Sequence, residues 1–245
     1  MRAAVGAWRL ARVIVHGVHG LAIVLLRFRW LDAAARHARI RWWSAKLLRV
    51  MGIALVVEGT PRPGTKLLVA NHVSWLDIAA VHAVVPEARF VSKADVRAWP
   101  LVNRLVDSAG TLYIEREKKR DALRVVHQMA EALAAGDTVA VFPEGTTGAG
   151  RVLLPFHANL LQAAIATATP IQPTVLRFFD AAHAVSPAAE FLGETTLAQS
   201  LWRLITARGM GVEVRMLPAM ASAHADRRAL AEHLRETIAA GLPRA

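Results

Sequence analysis

The stretch "LLVANHVSWLD", Leu67 to Asp77, decides how this chain is read. Its first half is a short unbroken apolar run, the pattern of a strand buried on both faces. Its second half starts a run of helical character at Ser74, a good N-cap residue. A strand that turns directly into a helix is the building unit of layered α/β sheets. In such sheets ligands bind beyond the carboxyl ends of the strands, and that position is held here by His72. An imidazole suits proton abstraction from a hydroxyl near neutral pH. Its second ring nitrogen needs an acceptor to fix the tautomer, and Asp77 supplies one if the turn folds back beneath the ring. The same residues have a plainer reading. Ser74 and Asp77 form an S-x-x-D pair, the pattern of a capping box, so Asp77 would satisfy helix donors and His72 would be an ordinary turn residue. Taken alone, the stretch leaves both readings open.

Outward from this unit the pattern repeats. Strand-like runs rich in Val, Ile, Leu or Phe, bounded by Gly, Pro, Asp or charge, fall at 53–59, 66–71, 88–93, 111–116, 138–145, 171–179 and 211–220. Helix-like runs fall between or after them at 74–85, 118–136, 157–168, 195–209 and 225–242. In the second of these, Leu123, Val126, Met129, Ala130 and Leu133 make one apolar stripe that ends at Gly136, a good C′ residue. Alternating strands and helices predict an α/β domain with a layered, mostly parallel or mixed central sheet flanked by helices.

Two other predicted strands end in polar residues suited to chemistry. "VFPEGTTGAGR", Val141 to Arg151, runs from a strand into a Gly-rich turn. Such a turn either exposes backbone N–H groups to an anion or is simply a tight turn. Glu144 within it can accept hydrogen bonds from substrate hydroxyls. "GTLYIER" ends in Arg116, placed either to meet a phosphate or to begin the solvated basic run "REKKR".

Composition constrains the setting. The 245 residues suffice for one large domain with a sizeable core, and 54% are hydrophobic. Mean hydropathy is +0.32, high for a protein with no contact with lipid. Net charge is +11, which points to nucleic acid, an anionic lipid surface or an anionic substrate. There is no cysteine, so disulfides, thiolate metal sites and cysteine nucleophiles are excluded. The first fifty residues hold ten basic side chains against one acid, Asp32, and four tryptophans, Trp8, Trp30, Trp42 and Trp43. Between Arg12 and Arg27 runs an apolar stretch shorter than the roughly 20 residues of a spanning helix. Arginine and tryptophan at both ends predict an interfacial or re-entrant helix. Residues 1–50 are therefore expected to be a basic, Trp-rich helical membrane-associating segment, and 51–245 the α/β domain. The pair His16 and His19 has no third ligand nearby and is expected to pack helices rather than bind metal.

Taken together, three of the stretches resemble one family. "NHVSWLD" is similar to the H-x4-D motif of the glycerolipid acyltransferases, of the lysophosphatidic acid acyltransferase type. "GTLYIER" resembles that family's second block, "FPEGT" its third, "PIQPTVL" its fourth, and "FVSKADVRAWPLVN" the lysine-containing stretch between the first two. The resemblance covers about residues 50–220 in the family's order. It implies acyl transfer to a lysolipid hydroxyl from an acyl-CoA or acyl-carrier-protein thioester, with no cofactor and no metal. His72 would be the general base and Asp77 its orienting partner. Glu144, Gly145 and Thr146 would shape the acceptor site, and Arg116 would hold the acceptor's phosphate, with Lys93 a further anion ligand. The acceptor implied first is 1-acylglycerol-3-phosphate, giving phosphatidic acid, at the cytoplasmic face of a bacterial-type inner membrane. The chain departs from the family at two positions. Thr147 replaces an arginine usual after F-P-E-G-T, and His157 replaces a common lysine. Arg151 is the candidate to compensate, and a lyso-ornithine lipid is the alternative acceptor. Of other classes, a basic nucleic-acid-binding protein would explain the charge, but not the Trp-flanked apolar N-terminus.

Overall fold

The computed structural model describes residues 2–93, 102–114 and 119–243. Two helices open the chain, α1 (Arg2–Leu26) and α2 (Ala33–Met51). Then follow β1 (Ala54–Glu58), β2 (Lys66–Ala70), α3 (Asp77–Val84), β3 (Ala88–Lys93), α4 (Val102–Ser108) and β4 (Leu112–Ile114). The rest is α5 (Lys119–Ala134), β5 (Thr138–Val141), α6 (Gln162–Ala166), β6 (Ile171–Phe179), α7 (Leu197–Thr206), β7 (Gly211–Met216) and α8 (Arg227–Ala240). One seven-stranded sheet runs β1-β7-β6-β2-β5-β3-β4, parallel at every pairing except β6 with β7. The layered α/β architecture with a mixed sheet is the one the alternating pattern predicts.

β2 lies at the centre, and every residue of it is buried. Successive side chains of a strand point to opposite faces, so β2 feeds two cores. Leu68 and Ala70 join the layer with α2, α3 and α7, while Leu67 and Val69 join the layer with α5, α6 and α8. A continuous apolar run is what a strand covered on both faces requires.

Predicted and observed elements differ at identifiable places. The run at 138–145 ends as strand at Val141, because Pro143 cannot donate to a ladder. The run at 211–220 stops at Met216, short of Pro218. The helix predicted over 157–168 is a 3-10 turn, Ala158–Leu161, leading into the short α6. The helix α4 was not anticipated: its seven residues are too few to show a helical period.

Among the described residues, α1 is the one helix long and apolar enough to cross a membrane. It is packed to the domain along one face. Gly6 lies against Trp202 and Thr206 of α7, and Gly20 lies under the indole of Trp43. Arg9 donates to the Ile205 carbonyl at 2.8 Å. His16 stacks on Trp43 at 5.1 Å and bonds the Trp43 carbonyl through Nε2 at 2.9 Å, the helix-packing role expected of it. On the opposite face Trp8, Val15, Val18 and Leu26 are each at least 63% exposed. α2 is continuous through residue 50. Asp32 caps its start, Gly52 ends it in the left-handed conformation, and Leu47, Leu48, Val50 and Met51 are part of the core. No break in the chain falls at residue 50, since α2 runs through it into the core.

Candidate active site

The site grows from the carboxyl ends of two adjacent strands, β2 and β5. Past Ala70 the backbone leaves the ladder, and the Asn71 side chain takes over the pairing. It donates from Nδ2 to the Leu176 carbonyl at 2.9 Å and accepts from the Leu176 N–H at 2.8 Å. This holds β2 against β6 while the next residue turns toward the β5 loop. The His72 N–H donates to Glu144 Oε1 at 2.8 Å, and its carbonyl accepts from the Gly148 N–H at 2.7 Å.

The His72 ring is held on two sides. Its Nδ1 lies 2.7 Å from Asp77 Oδ2. A buried carboxylate is an acceptor, so Nδ1 carries the proton and Nε2 keeps its lone pair. The ring also stacks on Phe142, with centroids 4.1 Å apart and planes 5° from parallel. Phe142 in turn stacks on Phe90 at 5.4 Å. The imidazole is therefore fixed in plane and in tautomer, with one nitrogen open for chemistry.

Asp77 is fully buried. Its Oδ2 accepts three hydrogen bonds: from His72 Nδ1, from the Val73 N–H at 2.7 Å and from the Ser74 N–H at 2.9 Å. The bond from the Ser74 N–H is half of the capping box that S-x-x-D predicts, and Ser74 Oγ accepts instead from the Leu76 N–H at 3.4 Å. The helix α3 itself begins at Asp77 with no side-chain cap bond, so this one oxygen holds the turn that precedes the helix and orients the histidine. Its Oδ1 is buried without a partner among the described residues.

Glu144 is 5% exposed. Oε1 takes the His72 N–H, and Oε2 takes the Leu154 N–H at 2.9 Å. Burial pushes its pKa up, opposed by those two N–H bonds. Its two oxygens tie the β2 turn to the far side of the Gly-rich loop. Gly145, at φ 70°, turns back so that its N–H reaches the Phe142 carbonyl at 3.0 Å. Thr146 is exposed. The Thr147 hydroxyl is bonded to the Phe191 carbonyl. Arg151 reaches Glu190 at 3.5 Å and the Val185 carbonyl at 3.5 Å. Lys93 ends β3 paired with Ile114, and Arg116 lies outside the described residues.

Phe142 is the site residue that sequence reasoning missed. It stands first in "FPEG", but nothing in the spacing says that its ring lies under His72. A second cluster, Asp180, His183 and Ser186, has the residue types of a hydrolytic triad but the wrong wiring. Both Ser186 Oγ and His183 Nδ1 bond to Asp180, so the acid sits between them. Its carboxyl is held down at about 2, where burial is outweighed by bonds from Ser186, the Ala182 N–H and His183. This cluster braces a loop.

The chain is similar to known acyltransferases in sequence and in fold. A family model described as Acyltransferase matches residues 55–177, which takes in His72, Asp77 and Glu144. The lyso-ornithine lipid O-acyltransferase of Pseudomonas aeruginosa is 35% identical over 234 residues, 94% of this chain and 89% of that protein. The 1-acyl-sn-glycerol-3-phosphate acyltransferase of Neisseria gonorrhoeae is 34% identical over 191 residues, 78% of this chain and 74% of that protein. In fold, the crystal structure of the 1-acyl-sn-glycerophosphate (LPA) acyltransferase PlsC from Thermotoga maritima superposes with a TM-score of 0.74 at 20% identity, over 98% of this chain and 95% of that one. With its family model, these relatives and this sheet in agreement, the chain belongs to the acyltransferase family and is an O-acyltransferase.

Proposed function

We propose that the enzyme moves a fatty acyl group from a coenzyme A or acyl-carrier-protein thioester to the free hydroxyl of a lysolipid, with His72 as general base. The observation that carries this reading is the 2.7 Å contact between Nδ1 and a buried carboxylate, which leaves Nε2 open. Nε2 takes the hydroxyl proton as the lipid oxygen attacks the thioester carbonyl. The tetrahedral adduct collapses, the carbon–sulfur bond breaks, and the departing thiolate takes the proton from the imidazolium. Asp77 stabilises the imidazolium while it exists. Such a base contributes about 10²–10⁴-fold in rate. Glu144 is a positioning residue that fixes the His72 backbone, and Gly145 and Thr146 form the loop beside it. The work is done at the cytoplasmic face of a bacterial-type inner membrane, with residues 1–50 as the anchoring part and 51–245 as the catalytic part.

Of the two acceptors, lyso-ornithine lipid comes first. Its support is the state of the head-group candidates: Thr147 brings no cation, and Arg151 is engaged by Glu190. A phosphomonoester that lacks one charge-assisted contact loses roughly 1.5–3 kcal/mol. The relative from Pseudomonas aeruginosa is named for lyso-ornithine lipid. The second acceptor, 1-acylglycerol-3-phosphate, is favoured by Arg116 in "GTLYIER" and by the relative from Neisseria gonorrhoeae. A labelled acyl donor offered with each lysolipid separates them. Turnover of lyso-ornithine lipid well above that of lysophosphatidate is expected, the reverse ranking selects the second reading, and labelling of neither lipid contradicts lysolipid acylation.

A further inference from the structure

Between α1 and α2 lies an open cavity of about 410 Å³ with neither His72 nor Asp77 in its lining. Its walls include Trp8, Arg12, Val15, His16, His19 and Lys46. Its lining joins basic side chains to apolar ones. No carboxylate is in its lining among the described residues, and from residue 1 to 57 the only acid is Asp32, which caps α2. Among the described residues neither Arg12 nor Lys46 has an ion-pair partner. Lys46 Nζ lies 4.7 Å over the Trp42 ring, and His19 meets the same ring edge-on at 5.6 Å. Trp42 therefore gathers a cation and an imidazole that both line the cavity. The cavity opens onto the exposed apolar face of α1, where Val15 and Val18 are 69% and 63% exposed.

We propose that this groove is a binding site for the head group of an anionic phospholipid of the membrane, distinct from the catalytic acceptor site. The lipid phosphate sits among Arg12, His19 and Lys46, and its acyl chains follow the apolar face of α1 into the bilayer. The chemistry selects this occupant over others. A free phosphate has no use for an apolar lining, and a nucleic acid strand needs a track of cations rather than an apolar stripe. Uncompensated arginine and lysine beside an interfacial tryptophan match the boundary between an anionic leaflet and its hydrocarbon.

The test uses the full chain and vesicles of phosphatidylcholine, with and without phosphatidylglycerol, in a flotation assay. The wild type is expected to bind the phosphatidylglycerol vesicles more tightly. The double variant Arg12→Gln, Lys46→Gln should lose about thirtyfold of that binding, the effect of two basic residues at a lipid surface. A charge-matched variant, Arg41→Gln, Arg49→Gln, alters exposed positions of α2 outside the groove and should lose much less. Ala11→Trp fills the groove without removing charge, and should weaken binding to phosphatidylglycerol while its binding to phosphatidylcholine is kept. Inorganic phosphate at matched ionic strength should not compete. Equal losses from the two double variants, an unaffected Ala11→Trp, release by inorganic phosphate, or no preference for phosphatidylglycerol in the wild type would each overturn the proposal.

Discussion

At the scale of single residues, two carboxylates do different work around one imidazole. Asp77 accepts three N–H groups on one oxygen, so its replacement by asparagine is informative. An amide oxygen placed where Oδ2 lies keeps all three bonds, and the amide nitrogen falls on the partnerless side of the group. Asp77→Asn should therefore fold, at a cost of about 1–3 kcal/mol for the unsatisfied amide, and should lose about 10²-fold or more in kcat because the imidazolium is no longer stabilised. Circular dichroism melts and kcat on the same preparation separate the two effects. Glu144 behaves differently, because both of its oxygens accept a backbone N–H. Glu144→Gln must turn its amide nitrogen toward one of those donors, and should cost about 1–3 kcal/mol of stability. Its kcat should fall through displacement of His72, with the KM for the lysolipid little changed. A large rise in KM at unchanged kcat would instead make Glu144 a direct acceptor ligand.

At the scale of elements, much was legible because strand and helix periods differ. β2 reads as buried because every side chain of it is buried, and all seven strands fall within the predicted runs. Prolines mark the ends of β5 and β7. The legible part of the site was likewise local: His72 and Asp77 sit one turn apart. What joins β2 to β5 was not legible. The bond from the His72 N–H to Glu144 and the stack on Phe142 span about seventy residues of chain, and nothing in the spacing encodes them. Nor was the packing face of α1, because glycines carry no hydrophobic signal. Gly20 shows why they matter: an added Cβ would lie 2.1 Å from Trp43 Nε1. Gly20→Ala should loosen α1 from α2 at a cost of roughly 1–3 kcal/mol, and limited proteolysis should then cut between the two helices faster. On α3, His82 is buried with Nε2 on the Ala88 carbonyl at 2.9 Å, and burial lowers its pKa. With a folded pKa below the unfolded 6.5, the unfolded chain binds the extra proton. Stability should be level in pH above that value and fall as pH drops below it, by up to about 1.4 kcal/mol per pH unit. His82→Gln keeps a donor for Ala88 and should flatten that slope in urea titrations between neutral and mildly acidic pH.

At the scale of the whole molecule, charge and apolar surface are concentrated at one end of the chain. The net charge of +11 is carried in good part by the first fifty residues, where exposed tryptophan and valine of α1 lie beside arginines. Apolar insertion together with attraction to anionic lipid gives binding that salt weakens only in part. Because the last turns of α2 belong to the core, the anchor is tested by removing residues 1–26 alone. That truncation should move the protein from the membrane to the soluble fraction while α2 remains in place. Sedimentation with membranes unchanged by the deletion would assign anchoring elsewhere. The proposed reaction brings a lipid hydroxyl to one imidazole nitrogen, and its most direct test is the kcat of purified His72→Ala on lysolipid and acyl thioester, measured beside the wild type. The account predicts a folded protein with an unchanged melting profile and a kcat lower by about 10²–10⁴-fold. A folded His72→Ala protein that turns over at the wild-type rate would contradict it.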